Sequence, residues 1–178
     1  MDTSVLGVMF VGALLLLEKQ QNVLQSLFVT PLELKTYILS KTISLTLLSL
    51  VMSMLIYIPA SGIDRSTLFL MALVVISSSF FMLVGIGVSV TVSTLNGYLG
   101  KLISASIVII APAVPFLLID HSGWLRVFPS NAIYELAILI GSGSTGKIAI
   151  ADLGILILWL AMSWFYAVYR FKRHVLSR

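Results

Sequence analysis

Glu18-Lys19-Gln20-Gln21-Asn22-Val23-Leu24-Gln25-Ser26-Leu27-Phe28-Val29-Thr30-Pro31-Leu32-Glu33-Leu34-Lys35-Thr36-Tyr37-Ile38-Leu39-Ser40-Lys41 separates two almost uncharged apolar runs, Val5 to Leu17 and Thr42 to Pro59. An isolated polar stretch between two such runs is the pattern of a chain that leaves a bilayer and re-enters it. The rest of the chain agrees. Of its 178 residues, 59% are hydrophobic and only 10% are charged, whereas a soluble domain has about 25% charged and roughly 45–50% apolar residues. The expected fold is an all-α polytopic helix bundle, one membrane domain over residues 1–178. The absence of cysteine excludes disulfide scaffolds, cysteine nucleophiles and thiolate metal sites. A formal net charge of +4 is too small to indicate nucleic acid as a partner.

Crossing a ~30 Å hydrocarbon core takes roughly 20 apolar residues in a helix. Five stretches approach that length: Val5 to Leu17, the shortest, extended by Met1 to Ser4; Thr42 to Pro59; Thr67 to about Thr94; Leu102 to Leu118; and Ile150 to Tyr169. The first has no basic region before it and no small-residue cleavage site after it, so it reads as a membrane segment and not as a signal peptide. Asn131 to Ile140 is apolar but too short to cross, and is expected to be a re-entrant or interfacial helix within an outer loop over 119–149.

With five spans, the loops divide into two sets. One holds Lys19, Lys35, Lys41, Lys101, Arg170, Lys172, Arg173 and Arg178; the other holds Arg65, Arg126 and Lys147. The positive-inside rule makes the first set cytoplasmic. The loop 18–41, the short Asn96 to Lys101 turn and the C-terminus then face the cytosol, and the N-terminus lies outside. An odd number of spans with that orientation implies that a first helix is missing or comes from another chain.

Within the loop, Val23, Leu24, Leu27 and Phe28 fall on one stripe of an otherwise polar helix. Thr30, Pro31 and Glu33 then read as an N-cap, a first-turn proline and the third residue of a capping box, so a second short helix is expected from Pro31 to Lys41. The pair forms an elbow beneath the bilayer. It serves either as an interfacial helix among headgroups or as a docking lever for a cytoplasmic partner.

The string Glu18, Leu24, Leu27, Thr30, Pro31, Leu32, Tyr37 and Lys41 between two spans resembles the corresponding loop of the ABC-2 type export permeases. Among these, the drug-export permeases of fluoroquinolone type look most similar. The resemblance is sharpest over Glu18 to about Leu50 and looser onward to Arg178. It implies that the loop is a coupling helix seated on a separate ABC ATPase subunit, with Glu18, Leu24, Leu27, Phe28, Thr30, Pro31, Glu33 and Lys35 as docking residues. It also implies no catalytic or metal site in this chain, ATP and magnesium bound by the partner, and a second permease copy or related permease alongside. Family permeases usually have six spans, so the resemblance implies a start at or within their second.

Other motifs carry less. Gly141-Ser142-Gly143-Ser144-Thr145-Gly146-Lys147 imitates a phosphate-binding loop, but Ile148 stands where magnesium needs Ser or Thr, and no α/β unit surrounds it. It reads as a flexible turn. Ala111-Pro112-Ala113-Val114-Pro115 should kink or unwind the fourth span, either as a packing kink or as a hinge for an outward exit. Ser77, Ser78, Ser79, Gly85 and Gly87 suit close helix packing, with a substrate path as the alternative. Met71, Phe80, Phe81 and Met82 suit a core or an adaptable drug pocket equally. Asp120-His121 reads as a solvated loop, and Glu135 is expected to reach water or a headgroup. The spans hold no ionisable residue away from their ends, which argues against a proton-coupled carrier. Arg170, Lys172, Arg173, His174 and Arg178 read as an anchor to anionic lipid.

The combined expectation is a permease subunit of an ATP-driven exporter moving a small apolar or amphipathic molecule, with no chemistry of its own. Two rivals stand beside it. An intramembrane enzyme would need paired polar groups at depth, and the expected absence of HExxH, cysteine and buried carboxylates speaks against the familiar kinds. A non-transporting scaffold or a truncated permease fragment would use the elbow only to hold lipid or a regulator.

Overall fold

The computed structural model describes residues 2–21, 23, 33–62, 64–118, 125–141 and 147–175. In chain order the helices are α1 (Asp2–Gln20), α2 (Leu34–Ser61), α3 (Arg65–Ser89), α4 (Leu95–Ile110), the short α5 (Ala113–Leu118), a 3-10 turn η1 (Leu125–Val127), α6 (Pro129–Gly141) and α7 (Lys147–Val175). The described residues contain no strand. The fold is an all-α bundle.

Among the described residues, four stretches are long and apolar enough to cross a membrane: Leu34–Pro59, Ser66–Ser89, Leu95–Pro115 and Ile150–Arg173. Half of the α3 window is buried inside the protein, against 11 to 22% for the other three. Helix α3 is therefore the axis of the bundle. It packs most extensively on α1, α7 and α2, and its first half also meets α6. Helix α1 covers the shortest expected span; its 19 residues make ~28 Å of helix, and Val11, Leu15 and Leu16 are buried in the core.

Lipid tails provide no hydrophobic drive for one helix to seek another, so such bundles rely on small residues that admit close contact. Gly7 and Gly12 on α1 meet Met82 and Tyr98, and Gly87 on α3 meets Tyr166 of α7, so closely that a Cβ at any of the three would overlap the neighbouring side chain. A Cβ at Gly85 would stand 2.8 Å from Val11 Cγ1. The serine run lies on the same helix. Ser78 Oγ donates to Val74 O at 2.6 Å and Ser79 Oγ to Val75 O at 2.7 Å, so the hydroxyls are satisfied within their own helix. Ser79 also meets Thr46 of α2 at 3.3 Å.

The structure corrects three boundaries. The second helix of the expected elbow is not a separate short piece starting at Pro31. It is the first part of α2, one continuous helix from Leu34, and Glu33 occupies the N-cap position with extended backbone instead of the third helical position. The third span ends at Ser89, five residues earlier than Thr94. The fourth starts at Leu95, because Thr94 Oγ1 accepts the Gly97 N–H at 3.2 Å and caps it. Asn96 to Lys101 is accordingly helix and not a turn. A reciprocal cap does exist at the start of α3, where Asp64 N–H donates to Thr67 Oγ1 at 3.0 Å and Thr67 N–H to Asp64 O at 2.9 Å. The double proline acts as expected: α4 stops at Ile110, and α5 resumes after Ala111-Pro112.

Members of the two charge sets lie at opposite ends of the bundle. Lys19, Lys41 and Lys101 lie where α1, α2, α3 and α4 meet, at what we term the Glu18 end. Arg126 lies with η1 and α6 at the Asp152 end.

Candidate functional site

At the Glu18 end, the last turn of α1 ties two neighbouring helices together. Tyr37 Oη donates to Glu18 Oε2, and Lys41 Nζ donates to Glu18 Oε1. Tyr37 and Lys41 sit four residues apart on α2, one turn above the other, so a single carboxylate can engage both. Charge assistance makes such bonds roughly twice as strong as neutral ones. The next residue works in the other direction. Lys19 Nζ donates to Val90 O at 3.3 Å and Val92 O at 2.9 Å, carbonyls left without helical partners where α3 ends. Lys101 Nζ reaches Thr91 Oγ1 at 3.1 Å from α4. The Tyr37 ring stands edge-on to Phe171 of α7, with centroids 5.7 Å apart. Helices α2, α3, α4 and α7 thus meet around the last turn of α1.

Of the eight expected docking residues, Glu18 belongs to this brace and is turned inward, while Glu33 and Lys35 are exposed at the start of α2. Leu24, Leu27, Phe28, Thr30 and Pro31 lie outside the described residues. Tyr37 and Lys41 are not among the expected docking residues, yet both belong to the brace. The signal was their four-residue spacing opposite an acidic residue at the end of the preceding helix. The C-terminal basic residues are also engaged: Arg170 lies over the Tyr166 ring at 5.4 Å, and Arg173 Nη1 meets Tyr169 Oη at 3.4 Å.

The aromatic and methionine residues of α3 separate into two roles. Phe80, Met71 and Met82 are buried, Phe80 lying edge-on to Trp159 at 6.2 Å. Phe81 instead borders a small apolar crevice between α1, α3 and α4, with Val8, Val84, Leu102, Ala105 and Ile109.

The Asp152 end holds a second cluster. Glu135 does not reach open water as expected: its Oε1 accepts from Arg126 Nη2 at 2.7 Å, and its side chain is largely buried. Asp152 is buried beside them. Gly141 closes α6, a helix where a phosphate-binding loop requires a strand, and residues 142–146 of that motif lie outside the described residues, as do Asp120 and His121.

Among the described residues, four helices long and apolar enough to cross a membrane, one of them central to the bundle, together with an ionic brace at one end, define a multi-pass membrane protein. Residues 2–167 match the family described as fluoroquinolones export permease protein Rv2686c-like. The match covers nearly the whole chain, and the protein belongs to that family of export permeases. No curated protein and no solved structure matches it.

Proposed function

We propose that this chain is the membrane-spanning subunit of an ATP-driven ABC-2 type exporter that expels a small amphipathic molecule of the fluoroquinolone kind. The Glu18 end faces the cytosol, where the excess of Lys and Arg belongs. A separate ATPase, holding ATP and magnesium, docks on the 18–41 loop, and a second permease copy completes the transport path. The single observation that carries this reading, beside the family match, is the brace itself. Glu18 and Lys19 clamp the start of α2 and the end of α3 to the last turn of α1. A push on the loop would reach the central helix through ionic contacts and not through loose backbone. Driving a two-state bundle from 1:99 to 99:1 takes ~5.5 kcal/mol, within reach of nucleotide-dependent binding.

The test is co-purification of an ATPase with the tagged chain from its native membranes, and reduced fluoroquinolone accumulation in cells expressing both. The double variant Leu27→Asp with Phe28→Asp should lose the ATPase and the efflux while still inserting in the membrane. Undiminished recruitment by that variant would remove the loop from the docking role. Labelling of the loop by an impermeant reagent on intact cells would reverse the orientation.

A further inference from the structure

Lys101 is the only charged residue between Ser66 and Ile119, a stretch that includes all of α4 and nearly all of α3. It stands exposed in the second turn of α4, one turn before Ala105 on the same face. Its ammonium reaches across to the turn between α3 and α4, where it donates to Thr91 Oγ1 at 3.1 Å and to Thr91 O at 3.4 Å. Both oxygens are neutral, so the charge is held in position but not compensated. The acidic residues give it no partner. Asp2, Asp64, Glu135 and Asp152 belong to the other end of the bundle, and Asp120 lies outside the described residues. At the Glu18 end, Glu18 is engaged by Tyr37 and Lys41, and Glu33 is exposed at the start of α2. Residues 22–32 carry no ionisable group, and no acidic residue follows Asp152.

From Lys101 toward the middle of the bundle, Leu102, Ala105 and Ile109 form a stripe on α4 that faces Val8 of α1 and Phe81 and Val84 of α3 across the apolar crevice. The walls do not close on each other. Just 11% of the α4 window is buried, and Ala105 and Ile109 stay partly exposed although they lie within a spanning stretch. An unfilled gap of this kind forfeits dispersion contacts along both walls, and what can enter it from the side is lipid. With its open mouth the crevice measures about 300 Å³. Pockets that enclose a drug-sized molecule measure about 300–1,000 Å³, and this one is open along its side. The stripe from Leu102 to Ile110 is ~12 Å long, which suits a single extended chain.

We propose that the crevice holds one acyl chain of an anionic phospholipid, in the leaflet at the Glu18 end, with its phosphate against Lys101. Basic groups at gaps between membrane helices bind anionic head groups. The tail by itself gives no selectivity, because lipid tails are as apolar as the side chains they touch; the lysine supplies it. With no acidic residue from Ser66 to Ile119, α3 and α4 offer nothing to the ammonium of a zwitterionic head group, so a net negative lipid is favoured. The bound chain fills the gap and joins α4 to α1 and α3. This inference does not rest on the ATPase reading, and its test contains the chain and lipid alone.

The test is native mass spectrometry of the full chain in detergent, with phosphatidylglycerol and phosphatidylcholine added in equal amounts. One phosphatidylglycerol should be retained per chain, preferred about fivefold, the factor that one lysine near a membrane surface supplies. Lys101→Gln should abolish the preference and Lys101→Arg should keep it. Lys172→Gln, which removes the same charge from the end of α7, should leave it unchanged. Ala105→Phe, which fills the crevice and keeps the lysine, should lose the retained lipid. Should that variant not fold, the parent chain gives the same reading: phosphatidylglycerol with a photoreactive group in its acyl chain should label residues 102–110 or 81–84. Equal retention of the two lipids, a preference that survives Lys101→Gln, or labelling confined to other segments would each overturn the proposal. So would displacement of the lipid by a fluoroquinolone, or loss of the label when two chains associate, which would give the crevice to the drug or to a second copy.

Discussion

The ring of Tyr98 on α4 fills the space that a side chain at Gly12 on α1 would need, and its hydroxyl donates to Val8 O at 2.6 Å. One aromatic residue thereby seals the contact between two helices far apart in the chain, using a missing Cβ for its ring and a main-chain carbonyl for its only polar atom. Gly12→Ala should force the ring out of place and cost about 1–3 kcal/mol. Tyr98→Phe, which keeps the ring, should cost about 0.6 kcal/mol, the average for hydrogen bonds between membrane helices. Thermal unfolding in detergent should rank the two in that order; equal losses would mean that the ring is not tightly held.

The Glu18–Lys41 pair should behave as a unit. Glu18→Gln alone leaves the Lys41 ammonium without its partly buried counter-charge, and is expected to lower stability by about 1–3 kcal/mol. Adding Lys41→Gln should cost less than the sum of the single changes. A double-mutant cycle in detergent reads the coupling, and strict additivity would show that the contact carries no energy.

Ser78 is fully buried and its hydroxyl is occupied by the carbonyl of Val74. If the serine run exists for close packing, Ser78→Ala keeps the volume and should change stability by less than about 1 kcal/mol. Ser78→Leu should disrupt the bundle, since overpacking typically costs about 1–3 kcal/mol. Efflux measured at equal membrane abundance should survive the alanine change; its loss there would assign the serine to the substrate path.

Trp159→Phe removes the anchor that α7 gives to η1 while conserving the aromatic contact with Phe80. Hydrogen exchange of residues 125–127 should quicken, with a global stability loss of about 0.5–1.5 kcal/mol, the usual net value of one hydrogen bond. Unaltered exchange would show that Asn131 holds η1 without help.

Much of this was legible from residue order. Span existence follows from apolar length, and the sorting of lysines and arginines into two sets follows from counting loops. Boundaries near caps were less legible. Asn96, Gly97 and Gly100 look like turn formers, yet they are helical because Thr94 caps the helix and Tyr98 is drawn into the core. The roles of Glu18 and Glu135 were also hidden. Each was read as facing water or a partner, and each is paired with a cation from another element.

Linear pattern was enough for the bundle class, because every backbone group in lipid must be satisfied within its own helix and apolar length alone reports where that happens. Which helix became the axis, and which charges met, depended on close approach between residues distant in the chain. Gly12 and Tyr98, Glu18 and Lys41, and Val127 and Trp159 acquire their meaning only when helices pack, because contact energies act through space and leave no period in the sequence to read.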